Sequence, residues 1–253
     1  MSGIVENPWT RLRSFTNARL ALGRAGDSLP TNEVLEFALA HARARDAVHN
    51  ALDASALEGE LAAAGFDFVT VESAVRDRAE YLRRPDLGRR LSDQSRARRV
   101  KRIERDAPAA AFIIADGLSA IAPARHAVPV LREIIAKLEG WRIAPVIIAT
   151  HARVALGDAI GELLNAEMSV VLIGERPGLS SPDSLGVYLT YKPHIGCTDA
   201  ERNCISNVRP EGLSYDAAAH KLHHLMLAAR RVGQSGIALK DESDWPRLDV
   251  RSP

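Results

Sequence analysis

Apolar and polar positions divide this chain into two patterns. Over roughly the first hundred residues the apolar positions recur at helical spacing. Pro30-Thr31-Asn32 followed by Glu33 predicts a helix start with an acidic first turn. Beyond it Val34, Leu35, Ala38, Leu39, Ala42, Val48 and Leu52 fall along one stripe of a helix. Residues 57–64 and 72–83 read as two shorter helices, split by Gly65-Phe-Asp-Phe68, and Arg84-Pro-Asp-Leu-Gly88 stops the second. From Ala109 onward short apolar runs alternate with helical segments. Residues 111–115, 145–149 and 169–173 suit strands of a parallel sheet covered on both faces. Helices are expected over 129–138, 154–166 and 213–232, with a last strand over 236–240. The apolar run 186–191 follows residue 173 after twelve residues, too tight for a helical crossover, so it is expected to pair antiparallel.

The pattern predicts an α/β fold: a Rossmann-like, mostly parallel sheet flanked by helices, with an N-terminal helical subdomain. The expected division is 1–108, helical with a basic connecting segment, and 109–253, the α/β domain. A chain of 253 residues can bury a core in one large unit or two unequal ones. Its 46% hydrophobic and 26% charged content is ordinary for a globular protein. No apolar stretch approaches the ~20 residues that span a bilayer, and the amino terminus lacks the basic start and apolar core of a secretory signal. Cys197 and Cys204 fit neither a zinc pair nor a disulfide framework, so a reducing cytosol is expected.

Net charge is only +1, yet residues 76–105 hold twelve Arg and Lys against five Asp and Glu. That stretch reads as a solvated face with a linker or as a docking surface for an acidic protein partner. Nucleic acid is disfavoured, because Tyr81 is the one aromatic residue available there for stacking.

Candidate chemistry gathers at the strand ends, where open α/β sheets bind ligands. Asp116-Gly-Leu-Ser119, the 150–154 turn with His151, the loop Gly174-Glu-Arg-Pro-Gly178 and the polar 204–207 segment are expected to form a broad, shallow wall. Such a wall suits a large ligand with many amide groups, or a partner chain. No Gly-x-Gly-x-x-Gly, Walker loop or Gly-x-Ser-x-Gly elbow follows a strand, which argues against those nucleotide sites and a nucleophilic Ser119. His220, His223 and His224 have metal-compatible spacing but no Glu in a His-Glu-x-x-His arrangement, so a helix face is the better account. Arg43, Asp46 and His49 read as a structural network, and Tyr188 and Tyr191 as packing residues. No self-sufficient catalytic set emerges.

Longer strings say more. Arg19-Leu-Ala-Leu-Gly-Arg-Ala-Gly26, His41-Ala-Arg-Ala-Arg-Asp-Ala-Val-His49, Tyr81-Leu-Arg-Arg-Pro-Asp-Leu-Gly-Arg-Arg-Leu91, Ala115-Asp-Gly-Leu-Ser-Ala120, Ala152-Arg-Val-Ala155, Leu172-Ile-Gly-Glu-Arg-Pro-Gly-Leu179 and Cys204-Ile-Ser-Asn207 occur in order. Together they resemble the small (light) subunit of ethanolamine ammonia-lyase over nearly the whole chain. The resemblance implies an adenosylcobalamin-dependent radical lyase that converts ethanolamine to acetaldehyde and ammonia. It implies a hetero-oligomer whose large (heavy) subunit holds the substrate pocket, while the small subunit covers the cobalamin at their interface. It places cobalamin contacts on Val154, Glu175 and Cys204, assigns this chain no catalytic or metal-ligating residue, and leaves residues 192–199 open. Neither nucleic acid nor membrane is implied, and the setting is the cytoplasm or a bacterial microcompartment within it. The competing reading is a nucleotide-binding or regulatory α/β module joined to a helical interaction domain.

Overall fold

The computed structural model describes residues 3–99 and 107–243. Part of the basic connecting segment, including Lys101, Arg102 and Arg105, lies outside the described residues.

Two short strands, β1 (Ile4–Val5) and β2 (Arg24–Ala25), pair antiparallel ahead of helices α1 (Thr31–His49) and α2 (Ala54–Ala63). α1 begins where the sequence predicts, but its apolar stripe is not buried. Val34, Leu35 and Leu39 face solvent, and the helix buries only Glu33 and Ala47. Hydrophobic spacing shows which residues share a face and not whether this chain supplies a cover for it. Glu33 does more than begin the helix: Arg13 Nη1 donates to its carboxylate at 2.7 Å.

The next expectation fails. Residues 72–83 are not one helix, because Phe68–Glu72 forms strand β3 and the helix shrinks to α3 (Arg78–Arg83). Phe68-Val-Thr-Val is rich in β-branched residues, and pairing with a buried strand decides the outcome over helical spacing. Asp77 then caps α3 by accepting the Glu80 N–H at 2.8 Å. A helix α4 (Asp93–Arg99) occupies part of the stretch read as a connection.

Strands β4 (Ala110–Ala115), β5 (Val146–Thr150), β6 (Met168–Gly174), β7 (Leu185–Tyr191) and β8 (Arg202–Val208) complete a six-stranded sheet of order β3-β5-β4-β6-β7-β8. The first four in that order are parallel, and β7 and β8 are antiparallel, as the short 174–185 connection requires for β7. The fold is therefore α/β with a mostly parallel sheet flanked by helices. β8 was legible only as a polar segment: it is an edge strand that buries Ile205 and Val208 while leaving Cys204, Ser206 and Asn207 outside.

Alternate side chains serve opposite faces of the sheet. Phe112, Ile114, Ile148, Val170, Leu172 and Val187 pack with α2, helix α5 (Ile121–Ile135) and helix α7 (Tyr215–Val232). Ile113, Ile147, Val171 and Ile173 pack on the other side with Leu156 and Ile160 of helix α6 (Leu156–Leu163). Burial on both faces explains the uninterrupted apolar runs. α5 starts well before Pro129, which lies inside it instead of at its start. α7 closes on Gly233 in the left-handed conformation, φ +78°. The expected last strand is a 3-10 turn, Gly236–Ala238, where Asn203 Oδ1 accepts the Gly236 N–H at 2.8 Å and its Nδ2 donates to the Gly236 carbonyl.

Candidate functional site

The carboxyl ends of β4, β5 and β6 lie side by side and open into a cleft of about 220 Å³, lined by Tyr81, Arg153, Val154, Ile173, Glu175 and Tyr188 among others. Hollows of about 640 and 700 Å³ lie elsewhere, between the N-terminal arm and residues 179–182 and around Trp141. The cleft is singled out by its position at the strand ends, where loops from several strands converge.

Asp116 follows β4, but it is no part of an open wall. Its side chain is 1% exposed and serves as a bracket. Oδ1 accepts the Gly117 N–H at 3.0 Å and the Ala152 N–H at 2.8 Å, while Oδ2 accepts the His151 N–H at 2.9 Å. Arg78 Nη1 reaches Oδ2 at 3.3 Å. Burial raises the carboxyl above the ordinary range, and the Ala152 N–H, Arg78 and His151 pull it back. The bracket holds the turn after β5 in shape, including His151 at φ +53°. Val154, three residues on, is thereby placed in the cleft.

Two glycines let the neighbouring loops interlock. Gly117 has φ +57°, and a Cβ there would lie 2.2 Å from the Gly174 carbonyl oxygen. A Cβ on Gly174 would lie 1.9 Å from the Ser119 carbonyl oxygen. Ser119 itself is fully buried and donates to the Pro182 carbonyl at 2.7 Å, a structural tie in place of a reactive hydroxyl.

Glu175, directly after β6, joins three elements. Its carboxylate accepts hydrogen bonds from Ser184 Oγ, from Ser206 Oγ at 2.5 Å and from the Asn207 N–H at 3.4 Å. Cys204 sits opposite Tyr188 in the β7–β8 register, and Tyr188 lines the cleft. The residue as a whole is exposed, with its thiol against Tyr188. Burial of that thiol raises it, the Tyr188 hydrogen bond opposes the shift and the Glu175 charge adds to it. The fold thus brings Val154 and Glu175 into one cleft and sets Cys204 one residue pair away from it.

Sequence reasoning missed the floor of the cleft. Tyr81 is fully buried, with Arg78 Cζ 4.6 Å and Arg153 Cζ 4.2 Å from its ring centroid. Its hydroxyl donates to the Ala152 carbonyl at 3.2 Å. Arg78 Nη2 and Arg153 Nε are buried and have no hydrogen-bond acceptor among the described residues. The signal lay in the strings around Tyr81 and Ala152-Arg-Val, but pattern alone does not show that they meet. His151 stays half-buried, its ring 6.5 Å from that of Tyr81. His220, His223 and His224 are half-buried on α7, where burial lowers His223 and the positive Lys137 adds to the effect.

Comparison with known proteins agrees with the strings. The family model described as ethanolamine ammonia-lyase light chain (EutC) matches residues 6–240. An ethanolamine ammonia-lyase small subunit from Azotobacter vinelandii is 55% identical over 252 residues, 98% of this chain and 93% of the relative. One from Xanthomonas campestris pv. campestris is 56% identical over 247 residues, 96% of this chain and 91% of the relative. One from Pseudomonas aeruginosa is 53% identical over 256 residues, 98% of this chain and 92% of the relative. Similarity of this extent follows the whole architecture described above, cleft loops included, and the chain belongs to the ethanolamine ammonia-lyase light-chain family, the small subunits of a lyase.

Proposed function

We propose that this chain forms one wall of an adenosylcobalamin site completed by the large subunit of ethanolamine ammonia-lyase, and that the complex deaminates ethanolamine to acetaldehyde and ammonia. The observation that carries the reading is the meeting of Val154 and Glu175 in one strand-end cleft, with Cys204 beside its Tyr188 wall. A corrin ring has apolar faces and an edge of amide groups, and the cleft offers matching surfaces. Val154 and Ile173 provide apolar area, while the Glu175 carboxylate accepts from amide N–H groups. Arg153 lines the cleft with a buried Nε that has no acceptor among the described residues, and is suited to an amide carbonyl.

A cleft of about 220 Å³ takes only part of so large a group, so a second chain must cover the rest. When bound, the cofactor supplies the radical chemistry, and the protein's share is binding, orientation and exclusion of water. We place the substrate-handling groups on the large subunit, in keeping with the family resemblance. Glu175 acts twice in this reading: it accepts from the ligand, and it ties β8, and with it Cys204, to the cleft. The exposed stripe of α1 and the exposed Arg76, Arg83, Arg84, Arg89, Arg90 and Arg96 are surfaces for that partner. No helix among the described residues is long and apolar enough to cross a membrane. The family resemblance is the ground for placing the complex in the cytoplasm or in a microcompartment within it.

The test is cobalamin retention by the complex with the large subunit. Glu175→Ala is expected to weaken cobalamin binding about tenfold, the equivalent of one charge-assisted hydrogen bond, while the two subunits still co-purify. Undiminished cobalamin affinity in both Glu175→Ala and Val154→Asp would overturn the proposed wall.

A further inference from the structure

The segment between β7 and β8 has no part in the cleft, yet it gathers three metal-ligating side chains. We propose that His194, Cys197 and Glu201 form a binding site for a divalent transition-metal ion of the zinc class. Their candidate ligand atoms all lie within 4.8 Å of one another, at the spacing His-x-x-Cys-x-x-x-Glu. Sulfur, imidazole nitrogen and a single carboxylate select zinc-like ions over magnesium or calcium, which prefer all-oxygen sets.

The backbone prepares this arrangement. The Cys197 N–H donates to the His194 carbonyl at 3.2 Å, closing a turn that Gly196 permits at φ +108°. The Cys197 carbonyl in turn accepts from Arg202 Nη2 at 2.8 Å, and Arg202 is held by the buried Asp158. The His194 ring is held close to the backbone, with Nδ1 3.2 Å from the Lys192 carbonyl oxygen. Nδ1 is the ring nitrogen nearer Cys197, so it is the ligand atom offered to an ion shared with the thiolate. The ion would displace its contact with Lys192 while the ring proton sits on Nε2. Nε2 lies 4.0 Å from Cys197 Sγ. Tetrahedral bonds of about 2.3 Å to sulfur and about 2.0 Å to nitrogen put the two ligand atoms roughly 3.5 Å apart, close to the 3.3 Å between Nδ1 and Sγ.

Sγ also approaches Nδ1 at 3.3 Å, a thiol contact that the ion would replace as the thiol proton leaves for solvent. Glu201 is oriented by Thr198, whose N–H and Oγ1 donate to Oε2 at 2.7 and 2.9 Å. Water completes the coordination, since Glu201 and His194 face solvent. A bound ion would cross-link the loop to the start of β8.

Cobalt(II) binding to the full chain tests the site, because a thiolate on cobalt gives a charge-transfer band in the near ultraviolet. The chain has two cysteines, so Cys204→Ser leaves Cys197 as the one thiol. Cys204→Ser is expected to show the band at one equivalent of cobalt and to lose it on adding zinc. Cys197→Ser and His194→Ala should abolish the band with unchanged circular dichroism, and Glu201→Gln should weaken cobalt binding about tenfold. Absence of the band in Cys204→Ser, its persistence in Cys197→Ser or His194→Ala, or equal cobalt affinity in Glu201→Gln would overturn the three-ligand site.

Discussion

Asp116 Oδ1 accepts the backbone N–H of Ala152 at 2.8 Å, so a carboxylate at the end of one parallel strand shapes the turn after the next. The same side chain meets Arg78 in a site with almost no solvent, where removing one charge leaves the other uncompensated. Asp116→Asn is therefore expected to lose about 3–5 kcal/mol in urea unfolding. A loss below about 1 kcal/mol, the scale of a single neutral hydrogen bond, would show that the bracket is dispensable.

Asp158 and Arg202 form a second buried pair, bidentate at 2.8 and 3.0 Å, with side chains 3% and 2% exposed. Burial lifts the Asp158 carboxyl from 3.8 to about 6, and Arg202 works against that shift. Between those values the folded chain keeps a proton that the unfolded chain has lost. This group's contribution to stability is therefore full below about 3.8, falls as pH rises, and levels off above about 6. Arg202→Met removes the opposing charge, so the folded carboxyl rises further and the variant continues to lose stability above pH 6. Unfolding free energies from pH 5 to 8 should show the deficit of Arg202→Met widening with pH; a constant deficit contradicts the linkage.

Two glycines, one at the cleft and one on a helix surface, predict substitutions of opposite sign. At Gly174 an added Cβ meets backbone at 1.9 Å, which no rotamer change can relieve. Gly174→Ala is expected to cost at least the upper part of about 1–3 kcal/mol. At Gly59, exposed inside α2, a Cβ has nothing within 4 Å, and Gly59→Ala should stabilise by roughly 0.5–1 kcal/mol. Melting curves that rank the two variants the other way would refute the close approach of the β4 and β6 loops.

Arg83, Arg84, Arg89 and Arg90 are exposed, and Arg84 is paired with Asp86 at 2.7 Å. Exposed pairs of this kind contribute about 0–1 kcal/mol to stability, so reversing the four charges should leave the chain's own unfolding nearly unchanged. If the stretch docks an acidic partner, reversal should weaken assembly with the large subunit by roughly tenfold or more and remove most of its salt dependence. Sedimentation at two ionic strengths reads both effects, and an intact, equally salt-sensitive complex would leave these residues as a solvated face.

The sequence by itself determined the α/β class, the parallel central strands and the antiparallel turn of β7, because burial on both faces demands unbroken apolar runs and twelve residues cannot complete a crossover. The resemblance carried by its strings is what implies the proposed cobalamin contacts Val154, Glu175 and Cys204. Only the tertiary structure decided that Phe68–Glu72 is a strand, since its pairing partner, Val146–Thr150, is more than seventy residues away. The unburied stripe of α1 was likewise beyond reach, because periodicity is local and a covering surface is not. The same reason hid the stack of Arg78, Tyr81 and Arg153 and the inward role of Asp116. Contacts between loops on separate strands arise from the register of the sheet, which no single stretch of sequence contains.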